Sequence, residues 1–316
     1  MRPRIISGDE VRANLGMSSA ISVVRRAFRA AHSGAVSPAP FHLDIETLDG
    51  HCAGELHIKG AHITGEPFFA VKASSGFPGN AARGLSTSHG FTTVFDAETG
   101  QLQAVVLDDG YLTELRTGAA GAVANDLLAI HEVDVAVVVG TGGQARHQID
   151  GLLAVRRPAS LVVAGRRDLA VQELVTWVRQ EHDVDVRGTT DIRTAVRDAP
   201  LVVTVTGARS PILQPGWLSP GSHVTAVGSD SPGKRELHPD LLRRADLFAA
   251  DDLTQSKTVG ELQDIDVDRM RRPATTIGAL LIEGGGRVSA EDLTIADLTG
   301  LGLQDAAIAT ALLEAM

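Results

Sequence analysis

Residues 133–145 read VDVAVVVGTGGQA, and this stretch decides the fold. Val135, Ala136, Val137, Val138 and Val139 form an apolar run with no polar alternation, which suits a strand buried on both faces of a parallel sheet. The run stops at Gly140-Thr141-Gly142-Gly143-Gln144-Ala145, a G-x-G-x-x-A pattern. Glycines at those positions permit a tight turn and close approach of the backbone to a ligand. The segment that follows, to Val155, predicts a helix whose first amides face an anion. Strand, glycine turn and helix in this order form the context of a dinucleotide pyrophosphate site; the other reading is a plain structural turn.

Downstream the chain alternates in the same way. Residues 160–164 (SLVVA), 184–187, 201–206 (LVVTVT), 223–227 (HVTAV) and 247–250 read as strands. Helical segments at 169–179 and 192–197 separate them. The alternation predicts an α/β fold with a doubly wound parallel sheet, the Rossmann arrangement. Residues 275–283 and 291–296 read as short helical pieces around Gly284-Gly285-Gly286, and 305–316 as a closing Ala-rich helix.

The 316 residues are enough for about two domains. With 43% hydrophobic and 22% charged residues the composition is that of an ordinary globular protein. A net charge of −10 argues against nucleic acid or an anionic membrane as partner. Cys52 is the only cysteine, so no intramolecular disulfide forms and a reducing compartment is expected. The opening MRPRIISGDEV lacks the apolar core of a signal peptide, and no run reaches the ~18 apolar residues of a membrane span. A cytoplasmic location is the simplest expectation.

The first third reads differently. Residues 5–6 suggest a short strand followed by a capped helix start at Ser7-Gly8-Asp9-Glu10. Residues 18–32 place Ile21, Val24, Ala27, Phe28 and Ala31 at helical spacing, and Gly34 ends that helix. Pro38 and Pro40 then keep the chain extended, and FHLDIE, GELHIKGAHI and FFAVKASS read as strands. FTTVFDAETGQLQAVVLDD reads as a hairpin with its turn at residues 97–100. A mixed or antiparallel sheet therefore precedes the dinucleotide segment.

Several residues here are candidates for chemistry. Lys72 sits inside an apolar strand and is either an edge-strand side chain reaching solvent or a deliberately placed cation. Arg116 precedes the small-residue helix TGAAGAVAND and either clamps a carboxylate with its planar fork or pairs on the surface with Glu114 or Asp108. Glu55, His57 and Lys59 alternate onto one strand face, a solvated face unless it lines a cleft.

The blocks VKASSGFPGN, GLSTSHGFTTVFDAETGQLQAVVLDDGYLTELRTGAAGAVA, VVGTGGQARHQ, VGSDSPGKREL and DLTGLGLQDAAIA, in that order, resemble the ornithine cyclodeaminase/μ-crystallin family. Their wording is most similar to the branch with ectoine-utilisation members. The resemblance implies a discontinuous α+β substrate-binding and dimerisation domain, residues 1–117 with 297–316, beside a Rossmann NAD(P)-binding domain at 118–296. It implies a homodimer formed through the first domain's sheet.

The resemblance also assigns roles. Asp230 occupies the acid/base position of a G-x-D-x-x-G-K-x-E block, although an aspartate before Ser231-Pro232-Gly233 also suits a turn cap. Lys72 and Asp230 are thereby implied as catalytic, Arg116 as the carboxylate ligand, and Glu55 as the holder of a distal amine. Many members carry an arginine shortly after the proline pair; here Phe41-His42 follow, so His42 is either a weaker carboxylate donor or a core histidine, and Lys59 is another source of charge. Cofactor contacts are expected from Gly140, Thr141, Gly142, Gly143, Gln144, Ala145, Thr206, Gly228 and Ser229.

After the second strand stand Arg166 and Arg167, with the first acid only at Asp168. Guanidinium groups favour a 2′-phosphate that a carboxylate would repel, so NADP(H) is expected ahead of NAD(H). The other reading has the arginines on a helix surface and Asp168 as its N-cap. Asp251, Asp252 and Lys257 suggest a polar loop near the cofactor, and no His/Cys/Asp set has the chain spacing of a metal site.

The resulting expectation is a small α-imino or α-amino acid substrate, with hydride exchanged at its α-carbon by an imine reductase or amino-acid dehydrogenase. A cyclodeaminase that recycles its cofactor is second. An NADPH-binding crystallin-like protein without useful turnover is third, disfavoured because Lys72 and Asp230 are retained.

Overall fold

The computed structural model describes residues 2–35, 38 and 40–316. The extended stretch expected around Pro38 and Pro40 includes Ala39, which lies outside the described residues. Two compact units form: Met1–Arg116 with Leu301–Met316, and Thr117–Gly300.

The first unit opens with β1 (Arg4–Ser7), α1 (Gly8–Asn14) and α2 (Met17–His32). Ser7 caps α1 in a reciprocal box: its hydroxyl accepts from the Glu10 amide and the Glu10 carboxylate accepts from the Ser7 amide. Then come β2 (Phe41–Glu46), β3 (Cys52–His62), β4 (Phe68–Gly76), β5 (Ser88–Asp96) and β6 (Leu102–Leu107). They form one sheet in the order β1-β6-β5-β4-β3-β2, antiparallel except for the β1–β6 pair. Next is α3 (Tyr111–Leu128), which begins earlier than the small-residue segment suggested. The Asp108 carboxylate accepts from the Gly110 and Leu112 amides and holds that start, so Arg116 lies within the helix rather than before it.

The second unit runs β7 (Val135–Val139), α4 (Gly143–Val155), β8 (Ser160–Ala164), α5 (Asp168–Glu181), β9 (Asp185–Thr189), α6 (Ile192–Val196), β10 (Leu201–Thr204), β11 (His223–Ala226), α7 (Pro239–Arg244), β12 (Leu247–Ala250), α8 (Leu253–Val259), β13 (Thr275–Thr276), α9 (Ile277–Glu283) and β14 (Thr294–Asp297). The eight strands are all parallel, in the order β13-β12-β14-β11-β10-β7-β8-β9. The order reverses between β7 and β10, which creates the crevice where ligands of such sheets bind. Val137, Val139, Val162, Val202, Val224 and Ile295 meet in the core of this unit.

One element differs from the sequence reading. Residues 291–296 were expected to be helical, yet Thr294–Asp297 forms β14 between β11 and β12, buried at all four positions. A run of four residues carries too little periodicity to separate strand from helix, and here sheet pairing decides. Because β14 belongs to the large sheet, the chain returns to the first unit at Leu301 rather than at residue 297. There α10 (Gly302–Glu314) packs on α2, β3 and β4. A smaller difference is Asp168, which is the first residue of α5 and follows Arg167 as N-cap.

Candidate active site

In the first unit, sheet register builds a polar patch on the face that α10 covers. Lys59 stands opposite Lys72, and Lys72 opposite Thr92. One step along, His42 faces His57, which faces Ser74; one step further, Asp44 faces Glu55. In the other direction the face is apolar, with Ala61, Ala70, Val94 and Ala104 buried. The alternation that looked like a solvated strand face is therefore a face turned inward.

Lys72 is 3% exposed on an interior strand, so it is no edge side chain. Its Nζ donates to Asp305 Oδ1 at 3.1 Å, and Arg116 Nε donates to the same oxygen at 2.9 Å. Arg116 Nη1 donates to Gln304 Oε1 at 3.1 Å. The surface pairing of Arg116 with Glu114 or Asp108 is replaced by this buried one. Burial pushes the Lys72 ammonium down to about 7; Asp305 opposes the shift, while Arg116 and Lys59 add to it. Burial also works to raise the Asp305 carboxyl, but Arg116, Lys72 and Lys59 outweigh it and hold the group below the ordinary aspartate value. Asp305 Oδ2 and Gln304 Nε2 are buried without a hydrogen-bond partner among the described residues. One acceptor and one donor are thus left unsatisfied beside the two cations.

The next row holds two imidazoles. His42 Nδ1 and His57 Nδ1 are 3.5 Å apart, His42 Nε2 is 3.1 Å from Asp44 Oδ1, and His57 Nε2 is 3.5 Å from Glu55 Oε2. His42 is therefore not a core histidine packed among apolar groups. His42, Glu55 and His57 each offer a ligand atom within 4.8 Å of the others. The expectation of no metal site rested on spacing along the chain; antiparallel pairing of β2 with β3 brings together these three side chains, which the chain spacing does not connect.

In the second unit, Gly140 turns the chain after β7 with φ +135°, and a Cβ there would stand 2.3 Å from the Val205 carbonyl oxygen. Gly142 is the N-cap of α4, with no side chain capping the helix start and no atom within 4 Å of a Cβ placed on it. That opening and the bare α4 amides suit a pyrophosphate. They border a cleft of about 670 Å³ that Thr141, Arg166, Arg167, Thr206 and Arg209 also line. Both Arg166 and Arg167 are exposed there, and no carboxylate among the described residues pairs with either.

Thr206 and Gly228 are held by a residue that sequence reasoning passed over. Glu236 accepts from Thr204 Oγ1, Thr206 N, Thr206 Oγ1 and Gly228 N, all at 2.7–2.8 Å. It thereby ties together the ends of β10 and β11. Ser229 donates to the Lys234 carbonyl, and Lys234 Nζ donates to Asp230 Oδ1 at 2.7 Å. Asp230 is thus held by a lysine as well as sitting in a turn. Gln144 and Ala145 lie in the first turn of α4, Ala145 fully buried. Asp251 binds Thr299 and the Gly300 amide, and Asp252 caps α8; neither gathers a metal set.

The whole chain, residues 1–316, matches the model of the ornithine cyclodeaminase/mu-crystallin family. This protein belongs to that family. A relative called an uncharacterized cyclodeaminase, from Sinorhizobium fredii, is 40% identical over 97% of this chain and 94% of its own. Among solved structures, an archaeal alanine dehydrogenase dimer with bound NAD is 31% identical, with a TM-score of 0.89 over 100% of this chain and 96% of that one. The iminosuccinate reductase of Paracoccus denitrificans, in complex with NAD+, is 26% identical, with a TM-score of 0.88 over 100% and 96%. The family's Rossmann-type α/β architecture is the one described above, and no helix among the described residues is long and apolar enough to cross a membrane.

Two residues missed in the sequence, Asp305 and Glu236, sit inside the quoted blocks DLTGLGLQDAAIA and VGSDSPGKREL. The usable signal for Asp305 was a lone carboxylate near the start of an otherwise apolar helix, since a charge buried there needs a cation.

Proposed function

We propose that this protein is an NAD(P)H-dependent oxidoreductase acting at the α-carbon of an α-imino or α-amino acid, as a ketimine/imine reductase or an amino-acid dehydrogenase. The buried Lys72–Asp305–Arg116 cluster carries the reading, because it gathers two cationic donors around a single carboxylate. Arg116 Nη2 and the Lys72 ammonium take the substrate carboxylate. Asp230, oriented by Lys234, moves the proton at the substrate nitrogen or at a water. Glu55, His42 and Lys59 meet the substrate side chain. The nicotinamide, when bound, supplies or accepts the hydride.

The residues of the second unit fit the dinucleotide. Gly140, Thr141, Gly142, Gly143, Gln144 and Ala145 hold the pyrophosphate on the α4 amides, and Thr206, Gly228 and Ser229 line the nicotinamide end. Arg166 and Arg167 take a 2′-phosphate, so NADP(H) is preferred and NAD(H), found in the two solved relatives, is second.

The first unit is the substrate and dimerisation domain and the second the NAD(P)-binding domain, in a cytoplasmic homodimer. The sheet face opposite α10 supports the dimer: Phe41, Ile58, Ala73 and Phe91 form one cross-strand row, with Phe41 and Phe91 exposed. Such an apolar face suits burial against a second copy.

The second reading is a cyclodeaminase, favoured by Glu55 as a carboxylate for a distal amine. Lys59, buried beside Lys72, opposes it by repelling another ammonium. The deciding experiment is a panel of cyclic ketimines, 2-oxo acids with ammonia or methylamine, and diamino acids, run with both cofactors. Nicotinamide absorbance and ammonia are followed together. NADPH oxidation by an imine supports the proposal; ammonia release from a diamino acid without net cofactor change replaces it with the cyclodeaminase. Cofactor binding with no turnover on any member of the panel points to the crystallin-like role.

A further inference from the structure

We infer that His42, His57 and Glu55 form a binding site for a divalent transition-metal ion, Zn²⁺ or a similar borderline cation, on the paired strands β2 and β3. The argument begins with the carboxylates behind the rings. Asp44 Oδ1 lies 3.1 Å from His42 Nε2, so that nitrogen donates to the carboxylate and Nδ1 is the ring atom turned toward His57, where an ion would bind it. The Glu55 carboxylate lies 3.5 Å from His57 Nε2, too far to fix that ring's tautomer, and serves as a ligand only.

His42 Nδ1 and His57 Nδ1 face each other at 3.5 Å. An N–H···N hydrogen bond would draw the atoms to about 3 Å. A tetrahedral ion with metal–nitrogen bonds of about 2.0–2.1 Å separates its ligand nitrogens by about 3.4 Å. The observed spacing, at the long limit of a hydrogen bond, matches two nitrogens held by one ion. Glu55 supplies an oxygen within 4.8 Å of both rings, which makes a His₂Glu set with one coordination position left for water or an anionic group. Nitrogen donors exclude Mg²⁺ and Ca²⁺ as the preferred occupants. Asp44 supplies the carboxylate–histidine–metal relay that orients a ligating imidazole.

The rings lie in unlike surroundings, 26% and 15% exposed at the side chain, so an ion can reach them without unfolding the sheet. Their only nearby thiol is Cys52, whose Sγ is 3.9 Å from Asp44 Oδ1. The site uses the first unit alone; it shares His42 and Glu55 with the substrate contacts proposed above, so it is tested without substrate.

The test is a titration of the chelator-stripped full-length protein with Co²⁺, followed by Zn²⁺ competition. The expected result is one equivalent of Co²⁺ with the intense visible absorption of a tetrahedral ion, displaced by Zn²⁺. His42→Ala and His57→Ala each abolish the band, Asp44→Asn weakens affinity about 10–100-fold, and Cys52→Ser and Lys72→Met leave the band in place. Circular dichroism and NADPH binding report that each variant is folded. Absence of a saturable band in the wild type overturns the proposal, as does a band that survives in the folded His42→Ala/His57→Ala double variant or disappears in Cys52→Ser. No turnover is measured, so failure here leaves the oxidoreductase reading untouched.

Discussion

Lys72 and Arg116 donate to one and the same oxygen, Oδ1 of Asp305, at 3.1 and 2.9 Å. Two buried cations compensated by a single carboxylate leave a local surplus of positive charge, and this surplus is what a substrate carboxylate would neutralise. The arrangement links β4, α3 and α10, which are far apart in the sequence.

Asp305 is therefore the residue whose loss should be felt most widely in the first unit. Asp305→Ala leaves Lys72 and Arg116 buried without their partner and should cost about 3–5 kcal/mol of stability. Urea unfolding with unchanged m-value would report it. A loss below about 1 kcal/mol would mean that the cations find water or another acceptor.

Lys72 should set a pH limit on substrate capture. Its folded value of about 7 means that the ammonium is lost as pH rises through neutrality, so kcat/KM should fall above pH 7. Lys72→Arg should remove that limb at much lower activity, and Lys72→Met should abolish turnover with NADPH affinity retained. In the stability profile the sign is opposite. Between about 7 and 10.5 the unfolded chain keeps this proton and the folded chain does not, so stability should rise with pH across that window.

The second unit should respond to acid in the contrary sense. Burial, with the neighbouring Glu236 charge adding to it, pushes the Glu261 carboxyl up to about 8 against the donations it receives from the Glu236 and Leu237 amides. Asp297 is raised as well, by burial and by Glu261. Carboxyls that hold protons in the folded state and lose them when unfolded stabilise at low pH. Tm should therefore decline from pH 5 to pH 7, below the range where Lys72 contributes. A flat profile would show that these carboxylates are ionised and hydrogen-bonded in the folded protein.

Arg166 and Arg167 should carry the choice of dinucleotide. Arg166→Ala with Arg167→Ala is expected to raise the NADPH Kd about 10–100-fold, the worth of one or two charge-assisted hydrogen bonds, and to leave NADH nearly unchanged. Fluorescence titration with both cofactors measures it. An equal loss for both would place the arginines on the pyrophosphate instead.

The second unit of this protein was legible because its information is local. Residues 135–139 are apolar without alternation and Gly140 and Gly142 follow directly, so strand, turn and helix start are each written in consecutive residues. The first unit was legible only in its ingredients. Lys72 and Arg116 were visible as charges in apolar or small-residue surroundings, but nothing near them in the chain named Asp305 as their partner. His42 was visible as a lone histidine and His57 as one of a strand face with Glu55 and Lys59, but no spacing connected the two rings.

The sequence by itself determined the family, the parallel sheet and the position of the glycine turn at its centre. The tertiary structure alone decided that β14 enters the large sheet, that α10 delivers Asp305 to Lys72 and Arg116, and that β2–β3 register faces His42 with His57. The physical reason is the range of the interactions. Backbone periodicity and glycine turns act between neighbours in the chain, whereas strand register and the pairing of buried charges depend on segments that meet only when the sheet closes.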